Sequence, residues 1–320
     1  MAADMDASVV IPAHDEGHLL TEAVNSVLRQ ERGGRTFPTI EIIIVPDRVD
    51  DATGAEVLAL ASKFPDIVRV VPNDRLPGVA GARNSGIVAA RGEWITFLDG
   101  DDIWTDTSLA ARWDAIGNHP EIAWVGADFV RWHEAEPRSD IGSLRRNAGT
   151  NALLTRAYET GDPTIYQRPA ELYLKQILCW TGTVMVKREL LMAVGLFDEA
   201  LVRAEDVHLW YRLAATTDYL FVPEVLAFYR QRPSTLARRG TSPRGYHNLA
   251  LRKLLDDPLL VPWRKAVRAS LARTLCEEVA HLRQQQQFAR AVGTALLSLR
   301  YKPVQIVAYR RLVGALLRRE

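Results

Sequence analysis

Through residues 8–130 the chain alternates short apolar runs with stretches of helical period. Ser8–Ile11, Ile42–Val45, Val68–Val71, Trp94–Leu98 and Ile122–Val130 predict strands, because β-branched and aromatic side chains fit a pleated, covered surface. Between them, Leu19–Leu28, Ala55–Phe64, Val79–Ala90 and Leu109–Ile116 predict helices. In the first of these, Leu20, Ala23, Val24, Val27 and Leu28 recur at helical spacing. Near-continuous apolar strands alternating with helices imply a parallel sheet covered on both faces. Ligands of such sheets bind at the carboxyl ends of strands. Residues 134–168 are polar and rich in Arg, Gly and Pro, and predict a loop region or flap. Thr183–Val186 and Tyr219–Val222 predict shorter strands. The periodic run Val207, Leu209–Trp210, Leu213–Ala214 predicts a helix starting nearby. From Arg244 the pattern turns helical, with turn marks at Pro258, Pro262 and Pro303.

The strand run 94–98 drops directly into Asp99-Gly100-Asp101-Asp102. Adjacent carboxylates repel, so the cluster is costly unless a cation sits there. Hard oxygen ligands on a tight turn suit Mg²⁺ or Mn²⁺ shared with a phosphate ligand. Gly100 lets the turn bend and leaves room for a ligand. The competing reading is a solvated Asp-rich turn closing a strand.

At 320 residues, ~150 residues per domain gives about two domains. The two cysteines, Cys179 and Cys276, are far apart and have no metal-type spacing. A disulfide framework is not indicated, and a reducing compartment is the expectation. Asp4 and Asp6 near the start rule against a signal peptide, and no run reaches ~18 apolar residues. These features set the expectation of a cytoplasmic protein. Net charge divides sharply along the chain. Residues 1–229 hold 21 Lys/Arg against 34 Asp/Glu, a balance of −13; residues 230–320 hold 19 against 5, a balance of +14. The basic end is expected either to face an anionic partner or to pack on the acidic body.

Four more segments accompany the Asp-rich strand end. They are Val9-Val10-Ile11-Pro12-Ala13-His14-Asp15-Glu16, then Ile43-Ile44-Val45-Pro46-Asp47-Arg48-Val49-Asp50-Asp51, then Gly78-Val79-Ala80-Gly81-Ala82-Arg83-Asn84-Ser85-Gly86, and Gly195-Leu196-Phe197-Asp198-Glu199 followed by Glu205-Asp206-Val207-His208. In this order and spacing the chain resembles the family 2 glycosyltransferases of GT-A fold over residues 8–235. The resemblance implies an α/β catalytic domain at 1–235, a mostly parallel nucleotide-binding sheet with helices on both faces. A basic helical C-terminal extension follows at 236–320. It puts Pro12, Ala13, His14 and Glu16 around the nucleoside and makes Asp47 an acceptor for a pyrimidine N–H. The family usually has two Asp and then Gly-Ser where this chain has Pro46-Asp47-Arg48-Val49.

By the same resemblance, Arg83 and Asn84 face the nucleotide, Asp99 with Gly100 lies nearer the ribose, and Asp101 is the metal ligand. Asp102 either supports that ligand or binds nothing. Asp206 matches the catalytic base, with Glu205 beside it. Taken alone, Glu205-Asp206 reads more readily as a helix cap; together with the other segments it favours the base. Trp180 and Gly182 match a loop on the acceptor side, although a Trp before a strand also reads as packing. Arg230 or Arg232, in Tyr229-Arg230-Gln231-Arg232-Pro233-Ser234-Thr235, is expected to contact the diphosphate.

The implied activity is a Mn²⁺- or Mg²⁺-dependent inverting transfer. The donor is a nucleoside diphosphate sugar, with a UDP-sugar the first expectation. The acceptor is a hydroxyl on a cell-surface polysaccharide, a glycan or a lipid-linked saccharide. A sugar nucleotidyltransferase would carry a Gly-rich basic loop after the first strand, where Pro12–Glu16 stands. A dehydrogenase would show G-x-G-x-x-G after a strand. A non-catalytic sugar-nucleotide-binding module would tolerate loss of Asp101 or Asp206, and both are present. Nucleic acid is not an expected partner, because the basic residues lack an aromatic-interleaved context. In residues 304–317 apolar and cationic positions separate partly on a helical wheel. This stretch is read as an interfacial helix at the inner face of a membrane, or as a helix packed on the body or in a homodimer.

Overall fold

The computed structural model describes residues 5–31, 37–232, 243–304 and 306–317. Pro233, Ser234 and Thr235, the boundary at 235/236, and Arg318 and Arg319 lie outside the described residues. Strands β1 (Ala7–Ala13), β2 (Ile40–Pro46), β3 (Val68–Val70) and β4 (Trp94–Phe97) form a parallel block in the order β3-β2-β1-β4. Helices α1 (Leu19–Leu28), α2 (Asp51–Lys63) and α3 (Val79–Ala89) make the crossovers. Parallel neighbours need such crossovers, which is why each apolar run is followed by a helical period. β1 sits at the centre and is buried along its whole length. The Asp50 carboxylate caps α2 by accepting from the Thr53 N–H.

Beyond β4 the sheet becomes mixed. The short strand β5 (Ile103–Trp104) leads to α4 (Ser108–Asn118) and the long β6 (Trp124–Trp132). Further along come β7 (Thr164–Tyr166), β8 (Met185–Lys187) and β9 (Tyr219–Arg230). β8 lies antiparallel between β4 and β6, and β9 runs parallel to β6. β5 and β7 both pair antiparallel with β9. All nine strands among the described residues belong to one sheet. β9 runs well past the predicted Val222, and its far end returns Tyr229 and Arg230 to the Asp99–Asp102 turn.

The loop expected at 134–168 is instead partly ordered by two helices and a strand. Helices α5 (Ser143–Arg146) and α6 (Ala148–Thr160) precede β7. Buried Asp128 in β6 organises them. Its carboxylate accepts from the N–H groups of Leu144 (2.9 Å) and Arg145 (3.1 Å) and from the Tyr158 hydroxyl (2.6 Å). Asn147 caps α6 through Gly149 and Thr150, and Gly161 ends it in the left-handed region. The start and stop signals were present in the sequence. The apolar period between them was too sparse to read, because only Leu154 and Ala157 supply its buried apolar contacts.

Helices α7 (Ala170–Tyr173), α8 (Arg188–Val194) and α9 (Glu205–Thr216) complete the body. They are followed by α10 (Pro243–Leu254), α11 (Arg264–Gln284), α12 (Phe288–Tyr301) and α13 (Ile306–Leu316). The first part of this C-terminal run joins the main core: Leu251, Leu254, Leu260, Val267, Leu271 and Leu275 pack into the cluster that holds β1. Ser270 Oγ donates to the Leu174 carbonyl (2.7 Å), and Tyr211 Oη meets His247 Nε2 (2.9 Å). Beyond it, Val279, Leu282, Ala291, Ala295 and Ala315 form a small separate cluster.

One glycine fixes the depth at which α3 sits on β1. A Cβ on Gly86 would press into the Val10 side chain of β1. Gly86→Ala is therefore expected to cost about 1–3 kcal/mol through overpacking. Thermal unfolding checks it. The Val10→Ala, Gly86→Ala double variant is expected to lose less than the sum of the two single losses, and additive losses would contradict close packing here.

Candidate active site

The carboxyl ends of β1, β2 and β4 lie along one edge of the sheet. β4 delivers the turn Asp99–Asp102, closed by a bond from Asp102 N to the Asp99 carbonyl (3.0 Å). A Cβ on Gly100 would lie 3.0 Å from Glu16 Cγ and 3.2 Å from the Pro12 carbonyl. This glycine thus brings the acidic turn against the end of β1. α3 aims Arg83 at the same edge. The buried guanidinium bonds Asp99 Oδ1 through Nη2 (2.6 Å) and Glu205 Oε1 through Nη1 (2.8 Å). Burial opposes its charge, but Asp99 and Glu205 outweigh burial and hold it firmly protonated. Glu205 and Asp206 stand in the first turn of α9. The preceding residue, Ala204, is in the left-handed region at φ 62°. That conformation is unfavourable for alanine and persists only where the surroundings enforce it.

Carboxylates are crowded at this turn. Burial pushes Asp101 up, the Asp99 charge adds to that, and Arg232 offsets part of it. Burial, then Asp101 and Asp99, push Asp102 well above the carboxylate range. Asp102 Oδ1 accepts from Arg230 N (2.8 Å), while its buried Oδ2 has no partner among the described residues. Glu16 is pushed up to about 7, mainly by burial, with Asp101 and Asp15 adding to it against the bond from His14 N. Two arginines at the end of β9 answer this charge. Arg230 Nε donates to the Asp101 carbonyl (2.7 Å), and its Nη2 donates to Glu22 (2.6 Å). Arg232 Nη1 reaches Asp101 Oδ2 (3.3 Å). Among the described residues no three ligating side chains converge as a metal cage. The donor chemistry nevertheless suits a hard cation: Asp99, Asp101 and Asp102 put only oxygen ligands on one tight turn, and Arg232 offsets only part of the charge at Asp101.

The residues expected to frame a nucleoside are held in a backbone-centred net. Asp47 N donates to the Ala13 carbonyl (2.8 Å), and His14 Nδ1 meets the Asp47 carbonyl (2.8 Å). His14 N donates to Glu16 Oε2 (2.6 Å). The Asp47 carboxylate already accepts from Asn73 Nδ2 (2.9 Å), Gly78 N (2.8 Å) and Arg48 Nη2 (3.3 Å). Burial raises its pKa, and these three partners reverse that and lower it. Asn73, absent from the sequence reading, carried no motif signal; it sits in the polar stretch after β3. Asn84 spends its amide inside the protein. It donates to the Phe197 carbonyl (2.9 Å) and Glu199 Oε1 (2.8 Å), and accepts from Phe197 N (3.0 Å). Asn84 thereby ties α3 to the Gly195–Glu199 segment.

On the opposite side, Asp206 Oδ2 accepts from Thr181 Oγ1 (3.0 Å) and Oδ1 accepts from Val207 N (2.7 Å). Thr181 was missed because only its neighbours Trp180 and Gly182 match the motif. Trp180 is half-buried and stacks with Phe129 and Tyr229, each at 5.1 Å. Gly182 is buried beneath the Trp180 ring, and its carbonyl accepts from Trp104 Nε1 (2.7 Å). The loop is thus bolted to β5, just past the acidic turn. A cavity of about 650 Å³ lined by Arg75, Asn84, Glu199 and His208 contains none of Asp99, Asp101 or Asp206. The converging charges, rather than this cavity, mark the acidic edge as the candidate site.

Residues 8–194 match the family model described as glycosyl transferase family 2. The chain is 27% identical over 240 residues to the uncharacterized glycosyltransferase EpsJ of Bacillus subtilis, covering 74% of this chain and 64% of that protein. It is 42% identical over 128 residues to the succinoglycan biosynthesis protein ExoO of Rhizobium meliloti, 39% of this chain and 34% of that one. It is 31% identical over 106 residues to WfgD of Escherichia coli, a UDP-Glc:alpha-D-GlcNAc-diphosphoundecaprenol beta-1,3-glucosyltransferase, 33% and 39% of the two chains. The match therefore spans between about a third and just under two thirds of these relatives' lengths. In fold the chain is similar to Staphylococcus aureus TarS 1–349 in complex with UDP, at TM-score 0.60, 16% identity and 97% and 89% coverage. It is also similar to the mannosyltransferase PcManGT of Pyrobaculum calidifontis in complex with GDP-Man and Mn²⁺, at TM-score 0.53, 19% identity and 100% and 89% coverage. The family model covers more than half of the chain, on the strands and turns that build the acidic edge: the chain belongs to glycosyl transferase family 2.

Proposed function

We propose that this chain transfers a sugar from a nucleoside diphosphate sugar to a saccharide hydroxyl, with inversion in a single displacement. The observation that carries the reading is the buried chain Asp99–Arg83–Glu205. It couples the turn assigned to the donor with the helix start that presents Asp206. Asp206 acts as the general base. A carboxylate in a helix's first turn is stabilised as the anion by the N–H groups and the dipole. The Thr181 hydroxyl holds one of its oxygens in place. The acceptor oxygen attacks the anomeric carbon as its proton passes to Asp206. The bond from that carbon to the diphosphate oxygen breaks, and its electron pair leaves with the diphosphate.

Asp101 would hold a divalent cation. When bound, that cation neutralises charge on the leaving diphosphate. Arg232, already beside Asp101, adds positive charge at the same place. Pro12, Ala13, His14, Glu16 and Asp47 frame the nucleoside. Asp47 contributes chiefly by fixing the Asn73 and Gly78 backbone region, since its carboxylate is already bonded within the chain. A UDP-sugar donor and a polysaccharide or lipid-linked acceptor are supported by WfgD, whose name carries both UDP-Glc and diphosphoundecaprenol, and by TarS with bound UDP. The acceptor side is assigned to Trp180, Gly182 and Thr181.

Asp206→Asn keeps the size and an oxygen that can accept from Thr181 Oγ1 but cannot take a proton. Turnover is expected to fall by ~10²–10⁴-fold with donor affinity and melting temperature held. A folded, donor-binding variant with near-parent turnover would remove Asp206 as base. For the cation, Asp101→Asn is expected to abolish the Mn²⁺-dependent part of UDP binding measured by calorimetry. Equal Mn²⁺ enhancement in variant and parent would remove Asp101 as the ligand.

A further inference from the structure

Helix α13 is turned the wrong way round for a helix that only packs on its own protein. Its buried positions are the small residues Ala308 and Ala315, at 0% and 1% exposure. Its large apolar residues face out: Ile306 is 71% exposed, Tyr309 52%, Val313 53% and Leu316 61%. Their spacing of three, four and three residues places them on one stripe of a 3.6-residue helix. Val304 and Val307, just before and beside the stripe, are also exposed. A helix stabilised by its own fold buries its larger apolar side, since burial of each such side chain is worth ~1.5–3 kcal/mol. A contiguous exposed apolar patch of this kind marks an interaction surface.

The surroundings identify the partner by charge. Exposed Arg310 lies on the outer side of the same helix. The start of α13 borders a groove of about 1010 Å³ against α11, whose lining carries Lys175, Lys265, Arg273, Lys302 and Arg311, five cations against the two carboxylates Glu171 and Glu277. The whole region 230–320 carries a balance of +14. Apolar side chains ringed by cations match an anionic bilayer, where the apolar stripe enters the headgroup boundary and the Lys and Arg meet lipid phosphates. A second copy of the same face fits less well. Two such cationic faces repel, and a single helix of 11 residues, ~16 Å long and ~10 Å wide, offers much less than the ~800 Å² per partner of a stable interface.

We propose that the outward stripe Ile306–Tyr309–Val313–Leu316 of α13, with its basic rim, docks this protein on an anionic lipid bilayer. No helix among the described residues is long and apolar enough to cross a membrane, and the contact proposed for α13 is a peripheral one. The proposal does not depend on the sugar-transfer reading, because it concerns a surface outside the acidic edge.

The test uses the full chain and co-sedimentation with vesicles of phosphatidylcholine containing about a quarter phosphatidylglycerol. Binding is expected at low salt, with a fall of at least about tenfold when salt rises from ~0.05 to ~0.5 M and weak binding to pure phosphatidylcholine. The Ile306→Ser, Val313→Ser, Leu316→Ser variant is expected to lose at least about tenfold in partition with an unchanged melting curve, since the three positions are exposed. A Tyr309→Trp variant is expected to shift its emission to the blue on the vesicles by more than the parent, whose eight tryptophans set the baseline, reporting insertion. Absence of binding at low salt would overturn the proposal. Binding unchanged in the triple variant would assign it to charges elsewhere and overturn the role of α13. A dimer seen in sedimentation velocity and abolished by the same triple variant would replace the bilayer with a second copy. Donor binding by calorimetry is unaffected by any of these outcomes, so failure here is separable from failure of the transfer reading.

Discussion

The site depends on one buried cation. Arg83 leaves α3 and spans from Asp99 at the end of β4 to Glu205 at the start of α9. Without it, two buried or half-buried carboxylates would face each other at a sheet edge already carrying Asp101, Asp102 and Glu16. Removing one partner of such a buried pair typically costs about 3–5 kcal/mol, because the remaining charge is left uncompensated. Arginine suits the task better than lysine, since its planar fork serves two carboxylates at once. Phe197 closes the arrangement, with the guanidinium 5.4 Å from its ring centre, and Asn84 holds the Phe197 backbone from the next position of α3.

The compensation is local and incomplete. Arg83 balances Asp99 and Glu205, while Arg230 and Arg232 only partly balance the remaining carboxylates. Glu205 is still pushed up to about 7 by burial and by Asp206, despite Arg83. The residual negative charge gathers where a phosphate-bound cation would neutralise it. Ala204 in the left-handed region is the conformational counterpart of the same constraint. It turns the chain so that Glu205 meets Arg83 and Asp206 meets Thr181 from one helix turn.

Most of the parallel half was legible because its strands are predominantly apolar, with single polar positions such as Ser8, Glu41 and Arg69, and alternate with helical periods. Helix Leu19–Leu28 was read at its observed bounds. The half beyond β4 was harder. β5 has two residues and no pattern of its own. β9 continues through Pro223 and Glu224 into Arg230, which a period argument cuts short. The ordered segment 143–166 depends on the buried carboxylate of Asp128, a tertiary contact no local window contains. In the site, the motif residues were legible by type and order. Their partners Asn73 and Thr181 were not, because a lone Asn or Thr in a polar or loop segment carries no spacing signal. The outward stripe of α13 could not be oriented from the sequence either. Periodicity finds an apolar face but not the direction in which it points.

The coupling through Arg83 is the central claim, and a double-mutant cycle between Arg83→Gln and Glu205→Gln measures it directly. Each single variant is predicted to lose both stability and donor turnover. The double variant is predicted to lose less than the sum of the singles, with a coupling of about 0.5–3 kcal/mol. Additive losses in both thermal unfolding and turnover would show that the two residues act independently and would contradict the account.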